Sequence, residues 1–503
     1  MNFLFFKELG NHGRLGNQLF QIAATIGVAK SKNMKPLFPS NWKYRQYFNI
    51  PDEYFGTVKT QCKYEEDESK LEYCFPQFEK TKNTEMYGYF QSEKYFEECK
   101  DEILEYLTPK AAIPSSVDKV CFHHRRGDYV GHEAYVNIDI NFYLSAYDKY
   151  FSDKEYTAIS DDVNYLDLHY NGNKFNIKQE SEIADFIKMI TYKYHVISNS
   201  TFAWWAAYLS RGEVVRPNEY FSGTLSNLSI KDLYPEQWHV HNIKEKIDCR
   251  DTTFIIPTQY DHEHRKENLT IVTSWIRRHF DTNLIIGEIN TSNFEKVDEN
   301  AVYLNYKIRY FHRTKVINEL TKASNTPYVF NWDADVIVSP VQIHKAIKEL
   351  RCDNCDVVYP YDGTFVQVER NKLRNFTGSY DVGNWKNTKF KNWNHPTKSV
   401  GGGVGYNVER FWSAGGENEN FISYGPEDSE RFWRYNQLGL RVKRIDGWLF
   451  HIEHFRGKNS KEGHEWSKRN WQQFKVLQSL NQLELHKAIQ TWPWIPNNNI
   501  SLS

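Results

Sequence analysis

His123-His124-Arg125-Arg126-Gly127-Asp128-Tyr129 decides how the first half of this chain is read. The residues before it, Val117 to Phe122, suit a short strand, so the two arginines emerge at a strand's carboxyl end, where open α/β sheets place their ligands. Adjacent guanidinium groups grip phosphate oxygens in a bidentate way, and the glycine lets a ligand come close to the backbone. The packet reads as an anion clamp. A salt-bridge cluster at a strand end uses the same residue types. Arg126-Gly127-Asp128 is also an adhesion tripeptide, a reading that needs an exported protein.

Toward the N-terminus, Asn2 to Phe6 reads as a buried strand, followed by a glycine loop, Gly10 to Gln18, and a helix from Leu19 to Ala29. Strand, glycine loop and helix point free backbone N–H groups at a bound anion or a polar substrate. Residues 60 to 110 are charged and read as irregular, apart from an aromatic-polar island at Gly88 to Phe96. Toward the C-terminus come a helix near Phe142 to Tyr150, a strand from Tyr156 to Ser160 ending in Asp161-Asp162, and a strand from Tyr194 to Ile197. Ser198-Asn199-Ser200-Thr201 then lead into an apolar helix, Phe202 to Leu209, either as caps or as donors to a phosphate. Trp204 and Trp205 on that helix are read as core.

The whole chain, 503 residues, is too long for one ordinary core, so two or more domains are expected. Its 63 basic and 64 acidic residues nearly cancel, which excludes a global pull toward nucleic acid or an anionic membrane and leaves any polyanion to local recognition. Seven cysteines follow no framework spacing and are expected as thiols; Cys352-Asp-Asn-Cys355 lacks the second pair a zinc site needs. No segment reaches spanning length, and the expected location is the cytoplasm, where Asn199 and Asn268 carry no glycosylation meaning.

In order along the chain, Gly13 to Phe20, Gly88 to Phe96, His123 to Tyr129, Ser160 to Asp162 and Ser198 to Trp205 resemble the motifs of the α-1,2-fucosyltransferases. His124 and Ala203 depart from that pattern, where the family has an apolar residue and often Ser. The resemblance implies a domain over residues 1 to 240 built of two Rossmann-like halves (GT-B), with GDP-fucose as donor, no metal cofactor and inversion at the sugar. It implies that Arg125 and Arg126 stabilise the leaving GDP with help from Ser198, Asn199, Ser200 and Thr201, that His123 and Asp128 support the clamp, and that Asn17 and Gln18 lie near the acceptor. Asp128 and Asp162 both stay open as the group that takes the acceptor proton.

Residues 241 to 252 are polar, without strong periodicity, and read as a linker; from 253 to 503 the α/β rhythm restarts. Strands are expected at Phe254 to Pro257, Asn283 to Glu288 and Tyr328 to Trp332, and helices at His264 to Phe280 and Thr314 to Ala323. Tyr328 to Trp332 runs directly into Asp333-Ala334-Asp335, and two carboxylates one residue apart at a strand end can share work on a divalent cation. Glu427 and Asp428 follow a glycine-proline turn and either cap the next helix or engage hydroxyl groups, one as a general base. His451 and His454 are candidates to complete a metal site with Asp335.

Ile255 to Pro257 with Arg265, Phe311 to Thr314 with Arg313, Asp333 to Asp335, Gly401 to Gly403 with Phe411-Trp412, Gly425 to Asp428 and His451 resemble the catalytic domains of β-1,4-galactosyltransferases and chondroitin polymerases. The family's Trp-Gly-Gly-Glu-Asp is Tyr424-Gly-Pro-Glu-Asp428 here, which touches the position that meets the sugars. This resemblance implies a single-sheet GT-A domain binding a UDP-sugar through Pro257, Arg265, Arg313, Asp333 and Asp335. Asp335 and His451 would hold Mn²⁺ or Mg²⁺ at the diphosphate, Asp428 would act as base, and Glu427 would hold the acceptor. Together the two halves imply a bifunctional, inverting glycosyltransferase adding α-1,2-fucose and a β-linked, galactose-like sugar to a glycan. The alternatives are one active domain beside a degenerate one, or a carbohydrate-binding or adhesion protein that reuses these folds.

Overall fold

The computed structural model describes residues 2–113, 116–170, 181–289, 295–385, 388, 391–392, 398–423, 425–455 and 466–496. It has a mixed α/β fold that divides into two compact units, Met1–Val163 with Ile177–Glu245, and Asn164–Asn176 with Lys246–Ser503. Among the described residues no helix is long and apolar enough to cross a membrane. The cysteines are free thiols.

The first unit holds two all-parallel sheets. One runs Lys35–Leu37, Phe3–Phe5, Thr84–Tyr87, Cys62–Glu65; the other runs Tyr156–Ser160, Val117–His124, Tyr192–Val196, Glu213–Pro217, His239–His241. Parallel strands need crossovers, and helices supply them. The first helix, Leu15–Ser31, is apolar on nearly every face and is correspondingly buried from Leu15 to Ala29 except at Asn17. It packs on the helix Thr201–Ser210, where the rings of Phe20, Trp204 and Trp205 meet at 4.5–5.1 Å, so both tryptophans are core as expected. Gly16 makes the crossing possible: a Cβ there would lie 2.4 Å from the backbone of Thr201 and Phe202.

Residues 60 to 110 are more regular than their charge pattern suggests. They contain two strands and the helix Lys100–Leu107. The edge strand Cys62–Glu65 turns Lys63 and Glu65 outward, and four residues are too few to display an alternation.

The second unit has a seven-stranded mixed sheet in the order Val302–Tyr306, Phe280–Ile289, Ile247–Thr258, Tyr328–Trp332, Gly403–Asn407, Val357–Tyr359, Val442–Arg444. Gly403–Asn407 runs antiparallel to both neighbours. The sequence predicts a single sheet here, and the structure adds a second one, Val336–Ile337, Leu449–Ile452, Phe365–Val368, Lys391–Asn392. Its strands of two to four residues are too short for a periodic signal. Within the stretch 241 to 252, the residues from Ile247 onward are strand. Ile247–Thr258 is one strand whose first residues alternate, Ile247 and Cys249 buried, Asp248 and Arg250 exposed. Polar residues on the open face disguised it.

A segment from the first half of the sequence belongs to the second unit. Most of the helix Val163–Tyr170 lies in it, with Tyr165, Leu166, His169 and Tyr170 buried. His169 bridges Ser339 Oγ (3.0 Å) and Asp381 Oδ1 (2.7 Å), and Tyr165 packs over Gly383.

Candidate active sites

In the first unit, Arg125 and its neighbours follow the strand Val117–His124 at its carboxyl end, beside a cleft of about 950 Å³. Arg125 lines this cleft with its guanidinium bound to both Asp128 and Asp161 and lying 5.0 Å from the Tyr129 ring. Gly127 has a different use from the expected one: a Cβ there would come within 2.5 Å of Asp161 Oδ2, so glycine makes room for that carboxylate. Arg126 departs further from expectation. It is buried, its Nη1 donates to Asn137 Oδ1 (2.8 Å), its N–H donates to Asp161 Oδ1 (2.8 Å), and it is not among the residues lining the cleft.

His123 lines the cleft and meets Ser198 Oγ at 2.8 Å; burial, with the Arg125 charge beside it, pushes the imidazole down to about 3, so it is neutral. Ser198 and Asn199 face inward, Asn199 donating to the carbonyls of Val136 (3.0 Å) and Tyr220 (2.8 Å). Ser200 and Thr201 do reach the cleft, and Ser200 precedes its helix without capping it through the side chain. Asn17 Oδ1 accepts from Thr201 Oγ1 (2.8 Å) and Gln91 Nε2 (3.0 Å), which directs its amide nitrogen elsewhere along the cleft wall. Gln18 is braced at both ends, by the Gly13 carbonyl (2.9 Å) and the Trp42 indole (2.8 Å). Asp161 and Arg14, neither assigned from sequence, line the same cleft, whereas Asp162 does not.

In the second unit the expected residues converge. Tyr328–Trp332 delivers Asp333 and Asp335 at its carboxyl end, and the register Val336↔His451 brings the strand Leu449–Ile452 alongside, fastened by the Ile452 N–H to the Asp335 carbonyl (2.7 Å). Asp335, His451 and His454 each offer a ligand atom, all within 4.8 Å of one another. His451 Nδ1 donates to Gln367 Oε1 (3.1 Å) and His454 Nδ1 to the Phe455 carbonyl (2.7 Å), so both rings aim Nε2 at Asp335, at 3.8 and 3.1 Å. One carboxylate and two imidazoles with their far nitrogens fixed are a donor set that fits a divalent cation. Burial pushes the Asp335 carboxyl up, but His451, His454 and Arg265 outweigh it and hold the group well below the usual range. Arg265 lies between Asp335 (3.6 Å) and Asp261 (3.1 Å). Pro257 is buried one residue before the end of its strand, in register with Gly287.

A second chain of charges begins at Asp333, whose Oδ1 accepts from Arg313 (2.5 Å); the other arm of Arg313 reaches Asp428 Oδ1 (3.2 Å). Asp428 is also held by Arg431 (2.9 Å), and Arg431 is anchored by Glu417 (2.8 Å), with both of those side chains 1% exposed. Burial raises the Asp428 carboxyl, and the two arginines pull it below its ordinary value. Glu427 behaves oppositely: burial and the adjacent Asp428 charge push it up to about 8, and its Oε2 is buried without a hydrogen-bond partner among the described residues. The two adjacent acids are therefore electrostatically unlike. Arg431 escaped the sequence reading, although its place three residues after Asp428 on a helix was a usable signal. Tyr424, where the sequence departs from the galactosyltransferase motif, lies outside the described residues.

Ser339, His169 and Asp381 have the chemistry of a nucleophilic triad but not its access. They are 0%, 2% and 6% exposed, and Ser339 Oγ accepts from the Val341 N–H as a helix cap (3.3 Å).

Residues 18–240 match the glycosyl transferase family 11 model. A putative galactoside 2-α-L-fucosyltransferase of Caenorhabditis elegans is 26% identical over 282 residues, covering 46% of this chain and 77% of that protein. An α-1,2-colitosyltransferase of Escherichia coli is 26% identical over 281 residues, covering 45% of this chain and 95% of that protein. Among solved structures, the catalytic domain of Drosophila β1,4-galactosyltransferase 7 in complex with xylobiose is 16% identical, covering 47% of this chain and 79% of that one at a TM-score of 0.26. Over residues 18–240 the chain resembles glycosyl transferase family 11 and is similar to fucosyl- and colitosyltransferases, and it is on that ground a glycosyltransferase.

Proposed function

We propose that the chain is a bifunctional, inverting glycosyltransferase with one donor site in each unit. The observation that carries this reading is that each unit gathers its own charged site, Arg125 lining a cleft in the first and Asp335, His451 and His454 clustered in the second.

In the first unit, residues 1 to 240 are read as a GT-B arrangement of two Rossmann-like halves, the two parallel sheets being its support. GDP-fucose is the proposed donor, and the similarity to a colitosyltransferase makes colitose the second candidate sugar. Arg125 receives the diphosphate charge as the glycosidic bond breaks, with Ser200 and Thr201 beside it. Neutral His123 supports the floor of the cleft. Asn17 turns its amide to an acceptor hydroxyl, and Asp128, which lines the cleft as Asp162 does not, holds Arg125.

In the second unit, residues 253 to 503 are read as a GT-A domain acting on a UDP-sugar, with galactose the proposed sugar. Asp335, His451 and His454 would hold Mn²⁺ or Mg²⁺, which when bound supplies positive charge for a diphosphate leaving group. Arg265, Arg313, Asp333 and Pro257 shape the donor side. Asp428 takes the proton of the acceptor hydroxyl and Glu427 holds the acceptor.

The test is a binding titration followed by a screen of GDP- and UDP-sugars for transfer onto oligosaccharides. GDP is expected to bind in EDTA and UDP to require Mn²⁺. GDP binding abolished by EDTA would refute the metal-free first site, and UDP binding without metal would refute the second.

A further inference from the structure

The sequence assigns the two arms of the anion clamp to Arg125 and Arg126, and the structure removes one of them, since Arg126 is 3% exposed and committed to Asn137. A diphosphate carries more negative charge than one guanidinium balances, so a second cation in the same cleft has a place to act. Arg14 lines the same cleft, with its side chain 65% exposed, at the residue before the helix Leu15–Ser31. Gly13, with φ at +83°, turns the chain there, and a Cβ on it would collide with Asn17. Gly16 then seats the first turn of the helix on the backbone of Thr201 and Phe202, so Arg14 lies beside a second cleft-lining segment.

Arg14 and Arg125 already share an anion. Arg125 binds Asp128 Oδ1 and Arg14 Nη2 lies 3.5 Å from Asp128 Oδ2. One carboxylate thus marks the point where two guanidinium groups converge. Asp128 sits on the short turn Gly127–Tyr129 with half its side chain exposed, free to withdraw into solvent, while Asp161 stays behind to hold Arg125. With Asp128 in place, two guanidinium groups face two carboxylates; a ligand with two linked phosphate groups that replaces Asp128 takes over its partners.

We propose that Arg14 and Arg125 together form the clamp for the diphosphate of the nucleotide-sugar donor, with Asp128 occupying that place when no donor is bound. This rests on the reading of the first unit as a GDP-sugar site.

The test is calorimetry on the full chain in EDTA with GDP, GMP and guanosine. Arg14→Gln is expected to weaken GDP about ten- to a hundredfold, to weaken GMP less, and to leave guanosine unchanged; Arg14→Lys should recover part of the loss. Arg14 is exposed, so these variants should fold, with an unchanged thermal transition as the control. If Arg14→Gln binds GDP as tightly as the unsubstituted chain while Arg125→Gln does not, the clamp has one arm and the proposal is overturned. Equal loss for guanosine and GDP would overturn it too, because Arg14 would then act on the shape of the cleft. If the unsubstituted chain binds no GDP at all, the donor reading of the first unit fails and the Arg14 proposal falls with it.

Discussion

Removing the imidazole of His169 should unsettle residues nearly two hundred positions further along the chain and leave its own sequence neighbourhood largely intact. His169→Ala deletes two buried hydrogen bonds, to Ser339 Oγ and Asp381 Oδ1. Ser339 keeps the Val341 N–H and Asp381 keeps the Gly383 N–H (2.8 Å), so neither partner is left wholly unsatisfied. Two such bonds contribute about 1–3 kcal/mol, and a void in a site this closed adds about 1 kcal/mol, for a total of roughly 3 kcal/mol. For a unit of this size that lowers the thermal midpoint by about 6–12 °C. The location of the damage is the sharper readout. Hydrogen exchange followed by mass spectrometry should show faster exchange in the helix Pro340–Arg351 and the turn Val382–Trp385, with the strands Val117–His124 and Tyr192–Val196 unchanged. Faster exchange in those first-unit strands with a protected 340–351 helix would refute the assignment of this segment to the second unit.

Asp335→Ala should abolish Mn²⁺ binding measured by calorimetry and lower the thermal midpoint, because it also takes from Arg265, His451 and His454 the carboxylate they share; retained stoichiometric Mn²⁺ binding would exclude the proposed ligand set. Asp428→Asn should leave UDP binding intact and stop transfer, and unchanged turnover would eliminate Asp428 as the base. Glu427 makes a pH prediction whose sign is set by its shift from 4.5 to about 8: the fold favours the protonated acid, so its stabilisation is complete below the lower value and is lost as pH rises through the upper one. Glu427→Gln, neutral throughout, should therefore gain in thermal midpoint over the unsubstituted chain between pH 5 and 9, and parallel curves would count against the shift. Gly16→Ala should cost about 1–3 kcal/mol by forcing the helices Leu15–Ser31 and Thr201–Ser210 apart, read in urea unfolding.

Where chemistry follows directly from a strand end, sequence and structure agree closely. Tyr328 to Trp332 is the strand expected, and Asp335, His451 and His454 gather as expected even though more than a hundred residues separate the first from the others. Long-range arrangement was less legible. Arg125 and Arg126 look alike in sequence, but their side chains are bound differently, one at the cleft and one to Asn137. Arg14 looks like an ordinary loop cation until Gly16 docks its helix on Thr201. The strand start Ile247 to Arg250 was hidden because its open face is polar, and the helix Val163–Tyr170 carries no mark of the unit it joins, since local periodicity reports that a face will be buried and not against what. Gln367 and Glu417, which steady His451 and Arg431, are defined only by a neighbouring strand or helix.

The position of that helix also sets a schedule for biosynthesis. His169 and Asp381 are 212 residues apart, so at roughly 5–20 residues per second the ribosome exposes Tyr165, Leu166 and Tyr170 about 10–40 s before their counterparts emerge. The first unit can close around its own two sheets in that interval, yet it must carry an unsheathed apolar helix while it waits. Translation speed and chaperone supply, which leave the finished molecule unmarked, would then govern how much of the chain reaches its native state.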